Sequence, residues 1–520
     1  MMRCSLLPTL SSVSCVCCRP LYASPVRRWN EYDNREYMRP GEAPVKRTAQ
    51  VFKFEIDRWK RRYKEILNDP YQRKGKEYIR PGKILRHELM PVHADFVIIG
   101  GGLVGSSVAW WLKQRLRDED LHVCVVENDD TFTKGATLLS PGGITQQFSL
   151  AENVEMSLFG AEFMRNAGEH LRIEDNDPPD LNITPMGYLF LATTPESAVQ
   201  MEQNWKVQTQ FGAKVALLSR DELKHRFSFM NFDDIELGSF GLENEGAIDT
   251  WQLLQAIREK NLTLGVNYIK AKVEGFVFDE PHGRLAFVDP ETDRIYQRML
   301  GVRIRPQKTD SSPRPLTGMT IVNCAGPWAG QLAALAGVGT GTGYMKHPIP
   351  IEPRKRYVYI FHCPEGPGLD MPFLVDPTGV WCRREDYGHT YMCGRSPTEE
   401  EDASMDHSNL DVDYDYFYEK VWPVLARRVP AFEKLKMKTA YACYHDYNYF
   451  DQNAIIGPHI VYENFWQVCG FSGHALQHAI AAGRGFMEKF YEGAYTTINM
   501  RRFDLKRVIQ NRPLVDAGIF

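Results

Sequence analysis

The stretch that decides the fold is ADFVIIGGGLVGSSVAWWLKQRL, residues 94–116. An apolar run over 96–99 breaks into three glycines, and small residues and two tryptophans follow. This order predicts a buried strand over 95–99, a tight turn, and a helix over 103–117. About twenty largely apolar residues are also near the minimum for a membrane span. Asp95 and the central glycines argue against that alternative.

The glycines and a downstream acid form a dinucleotide-binding pattern. Gly100, Gly102 and Gly105 make G-x-G-x-x-G, and the strand-like HVCVVE (122–127) ends in Glu127. The first glycine permits the turn, the second lets backbone N–H groups approach a pyrophosphate, and the third lets helix and strand pack closely. An acid at this spacing accepts hydrogen bonds from ribose hydroxyls. The pattern predicts NAD or FAD rather than NADP.

Strands that suit one nucleotide-binding sheet are spread over most of the chain, at 95–99, 122–126, 319–324 and 465–469. Between them, 249–265 reads as a helix, and 349–394 alternates short apolar runs with turn residues, as in an antiparallel sheet. The sequence therefore predicts an α/β plus α+β fold. In this fold a Rossmann-like dinucleotide-binding domain is built from discontinuous segments, and an antiparallel-sheet substrate domain is inserted between them.

The predicted boundaries follow from these segments. They are 1–28 for a leader, 29–93 for a basic arm, 94–180, 240–345 and 440–500 for the dinucleotide-binding domain, 181–239 and 346–439 for the substrate domain, and 501–520 for a C-terminal tail.

The N-terminal region is basic, whereas the rest of the chain is acidic. The first thirty residues contain four arginines, several serines and no acid, which is typical of a mitochondrial transit peptide. Residues 26–93 hold 18 Lys/Arg against 10 Asp/Glu. Within them, 51–67 predicts a basic amphipathic helix that docks on its own acidic body or contacts a membrane surface or a partner protein. The acidic body argues against nucleic-acid binding.

The cysteine and histidine spacings indicate neither disulfides nor a metal site. The seven cysteines after residue 93 are scattered singly, mostly in apolar runs, which predicts buried free thiols. His474 and His478 have the i, i+4 spacing of a metal pair, but no third ligand is evident.

From Asp95 onward the chain resembles the D-amino acid oxidase/sarcosine oxidase family of FAD proteins. Beyond the glycine motif, the resemblance is carried by GATLLSPGGITQQF (135–148), KVEGF (272–276), the A-G-x-W pattern at 325–328, and GFSGH (470–474). It implies FAD as the cofactor. The flavin-contacting residues that it implies are Gly142 and Gly143 of the small-residue segment, Val273 at the adenine, Ala325 and Gly326 at a strand end, and Gly470, Gly473 and His474, which open a helix whose dipole faces the flavin.

At the catalytic positions the chain differs from the enzymes of the family that it resembles. Family enzymes that oxidise amino acids hold the substrate carboxylate with an arginine or lysine, whereas this chain has Gln146, Gln147 and Gln477 near the corresponding places. Arg354–Arg356 or Arg383–Arg384 would supply another clamp, or form a solvated cluster at a sheet edge.

His474 and His445 are the catalytic candidates, with capping, packing or surface roles as the alternatives. Cys443 lies near the place where a cysteine attaches the flavin covalently in one branch of the family, or it is a buried thiol.

Three further segments resemble a mitochondrial branch of this family that is associated with assembly of respiratory complex I. They are FLVDPTGVWCRRE (373–385), GRSPTEEED (394–402) and YHDYNYFDQNAIIGPH (444–459). This resemblance implies the matrix side of the inner membrane, with complex I subunits or assembly intermediates as partners. The family at large implies the alternative, an active FAD-dependent dehydrogenase or oxidase that takes hydride from a small amine or amino acid.

Overall fold

The computed structural model describes residues 90–116, 121–279, 287–290, 295–296, 298–307 and 312–517, with single positions at 45, 49, 53, 56 and 60. The predicted leader lies outside the described residues. So does most of the predicted helix over 51–67, of which Lys53, Ile56 and Lys60 are described as helical and exposed.

Twenty strands are formed by the described residues. They are β1 His93–Ile99, β2 Val123–Glu127, β3 Gly143–Ile144, β4 Thr184–Pro185, β5 Tyr188–Ala192, β6 Val215–Ser219, β7 Leu237–Gly241, β8 Gly246–Ala247, β9 Asn267–Phe278, β10 Phe287–Val288, β11 Ile295–Tyr296, β12 Met299–Pro306, β13 Arg314–Asn323, β14 Ile351–His362, β15 Phe373–Val375, β16 Val380–Arg384, β17 Thr390–Arg395, β18 Lys436–Asn448, β19 Ile455–Pro458 and β20 Phe465–Cys469.

The α-helices of the described residues are mostly short, apart from five of thirteen or more residues. They are α1 Leu103–Arg115, α2 Ala136–Leu139, α3 Ala151–Arg165, α4 Ala167–Leu171, α5 Pro195–Gln210, α6 Arg220–Arg226, α7 Thr250–Thr263, α8 Ala329–Ala334, α9 Glu399–Ser404, α10 Tyr414–Tyr416, α11 Trp422–Arg428, α12 Ala475–Tyr491 and α13 Lys506–Ile509.

A seven-stranded sheet holds the glycine motif. Strand β1 pairs in parallel with β2 on one side and β13 on the other, and β13 continues in parallel to β20. Strands β9 and β12 form an antiparallel pair that links β2 back to the first residues of β13. The parallel strands direct their carboxyl ends to one edge, where ligands of such sheets bind.

An eight-stranded sheet lies between the segments of the first in sequence. Its order is β18-β14-β17-β16-β15-β5-β7-β6, and every pair is antiparallel except β15 with β5. One face of this sheet packs on a core that includes Tyr359, Phe361 and Tyr391, together with residues of α11. The other face looks onto the carboxyl edge of the first sheet.

Helix α1 is buried nearly all round, with ten of its thirteen residues in the core. It packs against α12, where the Trp111 indole donates to the Ile480 carbonyl at 2.9 Å. Among the described residues, no helix combines the length and the apolar character needed to cross a bilayer. The stretch 94–116 is therefore a strand, a turn and a short helix, and the membrane-span alternative is wrong for it.

The predicted fold class is confirmed, because a mixed sheet with parallel central strands, built from discontinuous segments, faces a mainly antiparallel sheet from the intervening ones. The predicted helix over 249–265 spans Thr250–Thr263, with Asp249 as its N-cap. All seven described cysteines are free and buried, as predicted. The domain boundaries stay a prediction, and β18, which belongs to the eight-stranded sheet, crosses the one at 440.

Candidate FAD and ligand site

A continuous cavity of about 1520 Å³ lies between the two sheets. Its walls come from the turn after β1, the ends of β2 and β13, the segment 132–145, the start of α12, and one face of the eight-stranded sheet. Typical small-ligand pockets measure about 300–1000 Å³. The cavity therefore has room for a ligand larger than these pockets hold.

The glycine turn forms the first wall. Gly100 has φ +106°, and a Cβ there would overlap the carbonyl oxygen of Cys324, while a Cβ at Gly105 would overlap the carbonyl oxygen of Gly100. Gly102 is the N-cap of α1, and no side chain caps that helix. Gly100 and Gly102 line the cavity, so the positive end of the α1 dipole opens into it. Gly105 instead serves the close packing of the helix on the turn.

Glu127 closes this end of the cavity. Its Oε2 accepts a hydrogen bond from the Gly101 N–H at 2.6 Å, and its Oε1 accepts one from the Asp129 N–H at 2.7 Å. Burial raises the pKa of this carboxyl, and the two backbone donors oppose that rise. Each oxygen retains a further lone pair, which suits acceptance from ribose hydroxyls.

The GFSGH turn forms the opposite wall and is held by Asp446. The carboxylate of Asp446 accepts hydrogen bonds from the N–H groups of Phe471 at 2.8 Å and Gly473 at 3.3 Å. Burial raises the pKa of Asp446 to about 6. Two N–H groups of the predicted flavin-contacting motif are thus directed to β18. The helix N-terminus that faces the cavity begins one turn later, at Ala475, and carries no side-chain cap.

A polar network that the sequence analysis missed holds the segment after β3. The buried carboxylate of Glu245 accepts from the Thr145 hydroxyl at 3.0 Å and the Gln146 N–H at 2.8 Å, and also from Gln147 Nε2. Burial raises the pKa of Glu245 to about 7. Gln477 joins this segment to α12, because its Oε1 accepts from the Thr145 N–H at 2.8 Å. Gln477 therefore lines the cavity, whereas Gln146 and Gln147 lie behind its wall and bind Glu245.

These features fit a dinucleotide with a flat ring system at its far end. Two uncapped helix N-termini open into one cavity, and a glycine cradle and an acid lie at one of them. A scan against protein-family models matches residues 95–488 to the family described as "FAD dependent oxidoreductase". The chain belongs to this family.

Curated relatives extend the match. The chain is 47% identical over 422 residues to "FAD-dependent oxidoreductase domain-containing protein 1" of Bos taurus, covering 81% of this chain and 85% of that protein. It is 45% identical over 436 residues to the protein of the same name in Xenopus laevis, covering 83% and 86%.

Among solved structures, L-proline dehydrogenase from P. horikoshii superposes with a TM-score of 0.65 at 22% identity, over 82% of this chain and all of that one. At this identity the superposition shows a shared fold. The cofactor predicted from the sequence, FAD, is confirmed by the family.

The structure brings most of the predicted flavoprotein residues together. Those that line the cavity are Gly100, Gly102, Glu127, Gly143, Val273, Ala325, Gly326, Gly473, His474 and His445. Three lie beside it and shape the backbone: Gly105, Gly142, whose φ is +74°, and Gly470, whose φ is +75°. The part each plays in binding FAD stays a prediction.

The two candidate histidines are neutral in this flavoprotein. Burial lowers the pKa of His474 to about 4, and burial, then the charges of Arg356 and His474, hold the pKa of His445 well below its usual value. His445 lies against Gly473, where a Cβ would come within 2.7 Å of its Cε1. A strongly depressed pKa makes each imidazole a weak proton acceptor.

Cys443 also lines the cavity, next to His445 in β18. Burial raises its pKa to about 12, so its thiol is protonated at neutral pH. A covalent link to the flavin through this sulfur stays a prediction. Within the described part of the chain, no group of three or more His, Cys, Asp or Glu side chains is placed to hold a metal ion.

The rest of the cavity, the ligand compartment, is bordered by lining residues of the eight-stranded sheet and of the segment 396–407. Its cationic side chains are Arg356 and Arg395, and both are paired with carboxylates of the chain. Arg383 and Arg384 do not line the cavity, and Arg383 pairs with Glu385 at 2.5 Å. Both side chains are buried, so this pair does not form a solvated cluster at a sheet edge, and a clamp built from it stays a prediction.

Proposed function

We propose that this FAD-binding protein supports the assembly or stability of respiratory complex I at the matrix side of the mitochondrial inner membrane, with its flavin serving the fold rather than turnover of a small amine. The role of the flavin in the fold rather than in turnover is supported by one observation. Both guanidinium groups of the ligand compartment are paired with internal carboxylates. With both guanidinium groups engaged, the carboxylate of an amino-acid substrate has to displace an internal carboxylate before a cation can orient it for hydride transfer.

The mitochondrial setting rests on sequence. The first thirty residues have the composition of a transit peptide, and the segments 373–385, 394–402 and 444–459 resemble the branch associated with complex I. All three segments border the ligand compartment: Trp381, Asp402 and His445 line it. The resemblance to that branch is thus concentrated at the site.

Absence of turnover is tested on the purified holoprotein under anaerobic conditions. Bound FAD supplies a hydride acceptor whose visible absorbance bleaches on reduction. We expect no bleaching with sarcosine or with L- and D-amino acids, whereas dithionite bleaches the same sample. Bleaching by any of these amines would contradict the structural role and favour the active-dehydrogenase alternative.

The link to complex I is tested in cells that lack the chain. We expect less assembled complex I on a native gel, restored by the wild-type chain but not by Gly102→Trp, whose side chain would occupy the pyrophosphate site. Glu400→Gln, on an exposed position of α9, is the matched control and should restore assembly. An unchanged amount of complex I in the deficient cells would refute the role.

Membrane contact is assigned to residues 51–67. Deleting residues 50–68 should move the protein from the inner-membrane fraction to the soluble matrix fraction, because the basic helix supplies the attraction to an anionic surface. Unchanged fractionation would favour docking of this helix on the protein's own body.

A further inference from the structure

Arg356 lies at the centre of the ligand compartment. On β14 it is paired with Cys443 of β18, and two residues further along Val358 is paired with Gly394 of β17. Alternate residues of a strand point to the same face, so Arg356 and Val358 both face the cavity. Arg356 and its strand partner Cys443 both line the cavity.

An aromatic wall continues from Val358 on the same face. Across the sheet, Gly394 is paired with Trp381, whose ring covers the glycine. Beyond it, the rings of Tyr188 and Phe373 stack with centroids 4.0 Å apart, and Phe373 lies 5.9 Å from Trp381. All three residues line the cavity and form an aromatic wall that suits the aromatic or aliphatic body of a small ligand.

Asp402 forms an ion pair with the guanidinium of Arg356. The two nitrogens of Arg356 donate to the two oxygens of Asp402 at 2.6 and 3.2 Å, which is the forked geometry by which arginine recognises a carboxylate ligand. The side chains are 18% and 7% exposed. Asp402 belongs to α9, and its chain segment 396–402 lines the cavity at Ser396, Pro397, Thr398 and Glu399.

The second cation of the compartment, Arg395, pairs with a different carboxylate of α9. Its guanidinium donates to both oxygens of Glu401 at 2.8 and 2.9 Å and lies 3.3 Å from the Tyr416 hydroxyl, so it fastens α9 to the sheet. This pair holds the helix whether or not Asp402 is engaged. Release of Asp402 from Arg356 therefore leaves α9 attached.

We propose that Arg356 is the anion-binding group of the ligand compartment and that Asp402 fills it as an internal substitute ligand. An external ligand of the class that fits, a small monocarboxylate with an aromatic or apolar body, binds by displacing Asp402. The inference goes beyond the proposed function and is independent of any role in complex I assembly.

The test uses the flavin-loaded protein and phenylacetate as the probe. Asp402→Asn keeps the shape of the side chain and removes its charge, so we expect phenylacetate to bind at least tenfold more tightly than to the wild type, measured by equilibrium dialysis. Glu400→Gln, on an exposed position of the same helix, should bind as the wild type does. The double variant Arg356→Gln/Asp402→Asn should lose the gain.

Thermal stability gives a second measure. Phenylacetate should raise the Tm of Asp402→Asn, whereas benzyl alcohol, its uncharged analogue, should not. If Asp402→Asn does not retain flavin, the same proposal is tested on the wild type. Saturating phenylacetate should increase hydrogen exchange over residues 398–404, because it releases Asp402 from Arg356, and benzyl alcohol should not.

Equal phenylacetate affinity in the wild type and Asp402→Asn would overturn the proposal, as would tight binding that persists without Arg356. All these measurements use oxidised flavin and no turnover. Their outcome is therefore separate from the amine-reduction and complex I tests.

Discussion

At the scale of single residues, two buried carboxylates organise the cavity. Glu245 holds the wall at Thr145–Gln147, and Asp446 holds the turn at Phe471–Gly473. Neither role is visible in the sequence, because the groups that each carboxylate binds lie about 100 and 25 residues away. The glycines and Glu127 were predictable, since their function depends on a local strand–turn–helix pattern.

Asp446 gives a stability effect that depends on pH. Its pKa is raised from 3.8 to about 6, so the folded protein prefers the protonated form. The stabilising contribution is fully present below pH 3.8 and is lost as pH rises to about 6. Asp446→Asn mimics the protonated acid. We expect its free energy of unfolding, relative to wild type, to rise by about 2 kcal/mol between pH 4 and 7.

Urea unfolding of both proteins at several pH values measures this difference. A difference between Asp446→Asn and the wild type that stays constant from pH 4 to 7 would contradict the raised pKa.

At the scale of elements, small residues set the distance between α1 and α12. A Cβ at Gly483 of α12 would overlap the Ser107 hydroxyl of α1 and come within 3.0 Å of the Trp111 ring. Strands β1 and β20 and helix α1 were predictable from apolar runs bounded by glycines. Strand β12 was not predictable, because its alternating pattern identifies a strand only once its neighbours β9 and β13 are known.

Replacing Gly483 by valine should therefore separate the two helices. Overpacking of a filled core costs about 1–3 kcal/mol, and Gly483 faces backbone as well as side-chain atoms. We therefore expect Gly483→Val to lower the free energy of unfolding by about 3 kcal/mol, measured from the shift of the denaturant midpoint. Gly275→Val is the matched control, because a Cβ at Gly275 meets nothing within 4 Å. Equal stability of the two variants would show that α1 and α12 can move apart freely.

At the scale of the whole molecule, the two sheets share one cavity instead of one extensive core. Separate hydrophobic clusters cover each face of the first sheet, and a third serves the eight-stranded sheet. The sequence indicated both sheets, but it could not show that Arg356 and Asp402 meet. That contact joins a strand to a helix 46 residues away and depends on the path of the segment between them.

FAD should consequently stabilise both sheets together. A ligand that binds only the folded state at a thousandfold excess over its Kd adds about 4 kcal/mol. We expect removal of FAD to lower the Tm and to increase hydrogen exchange in β1 and β13 and also in β14 and β18. Residues of β1, β14 and β18 line the cavity, and so does Cys324, which follows β13 directly. Gly102→Trp, which blocks the pyrophosphate site, should reproduce this exchange pattern with FAD in the buffer. Gly275→Trp should behave as the wild type. Faster exchange confined to β1 and β13 would mean that the eight-stranded sheet is stable without the cofactor, and that FAD acts on the first sheet alone.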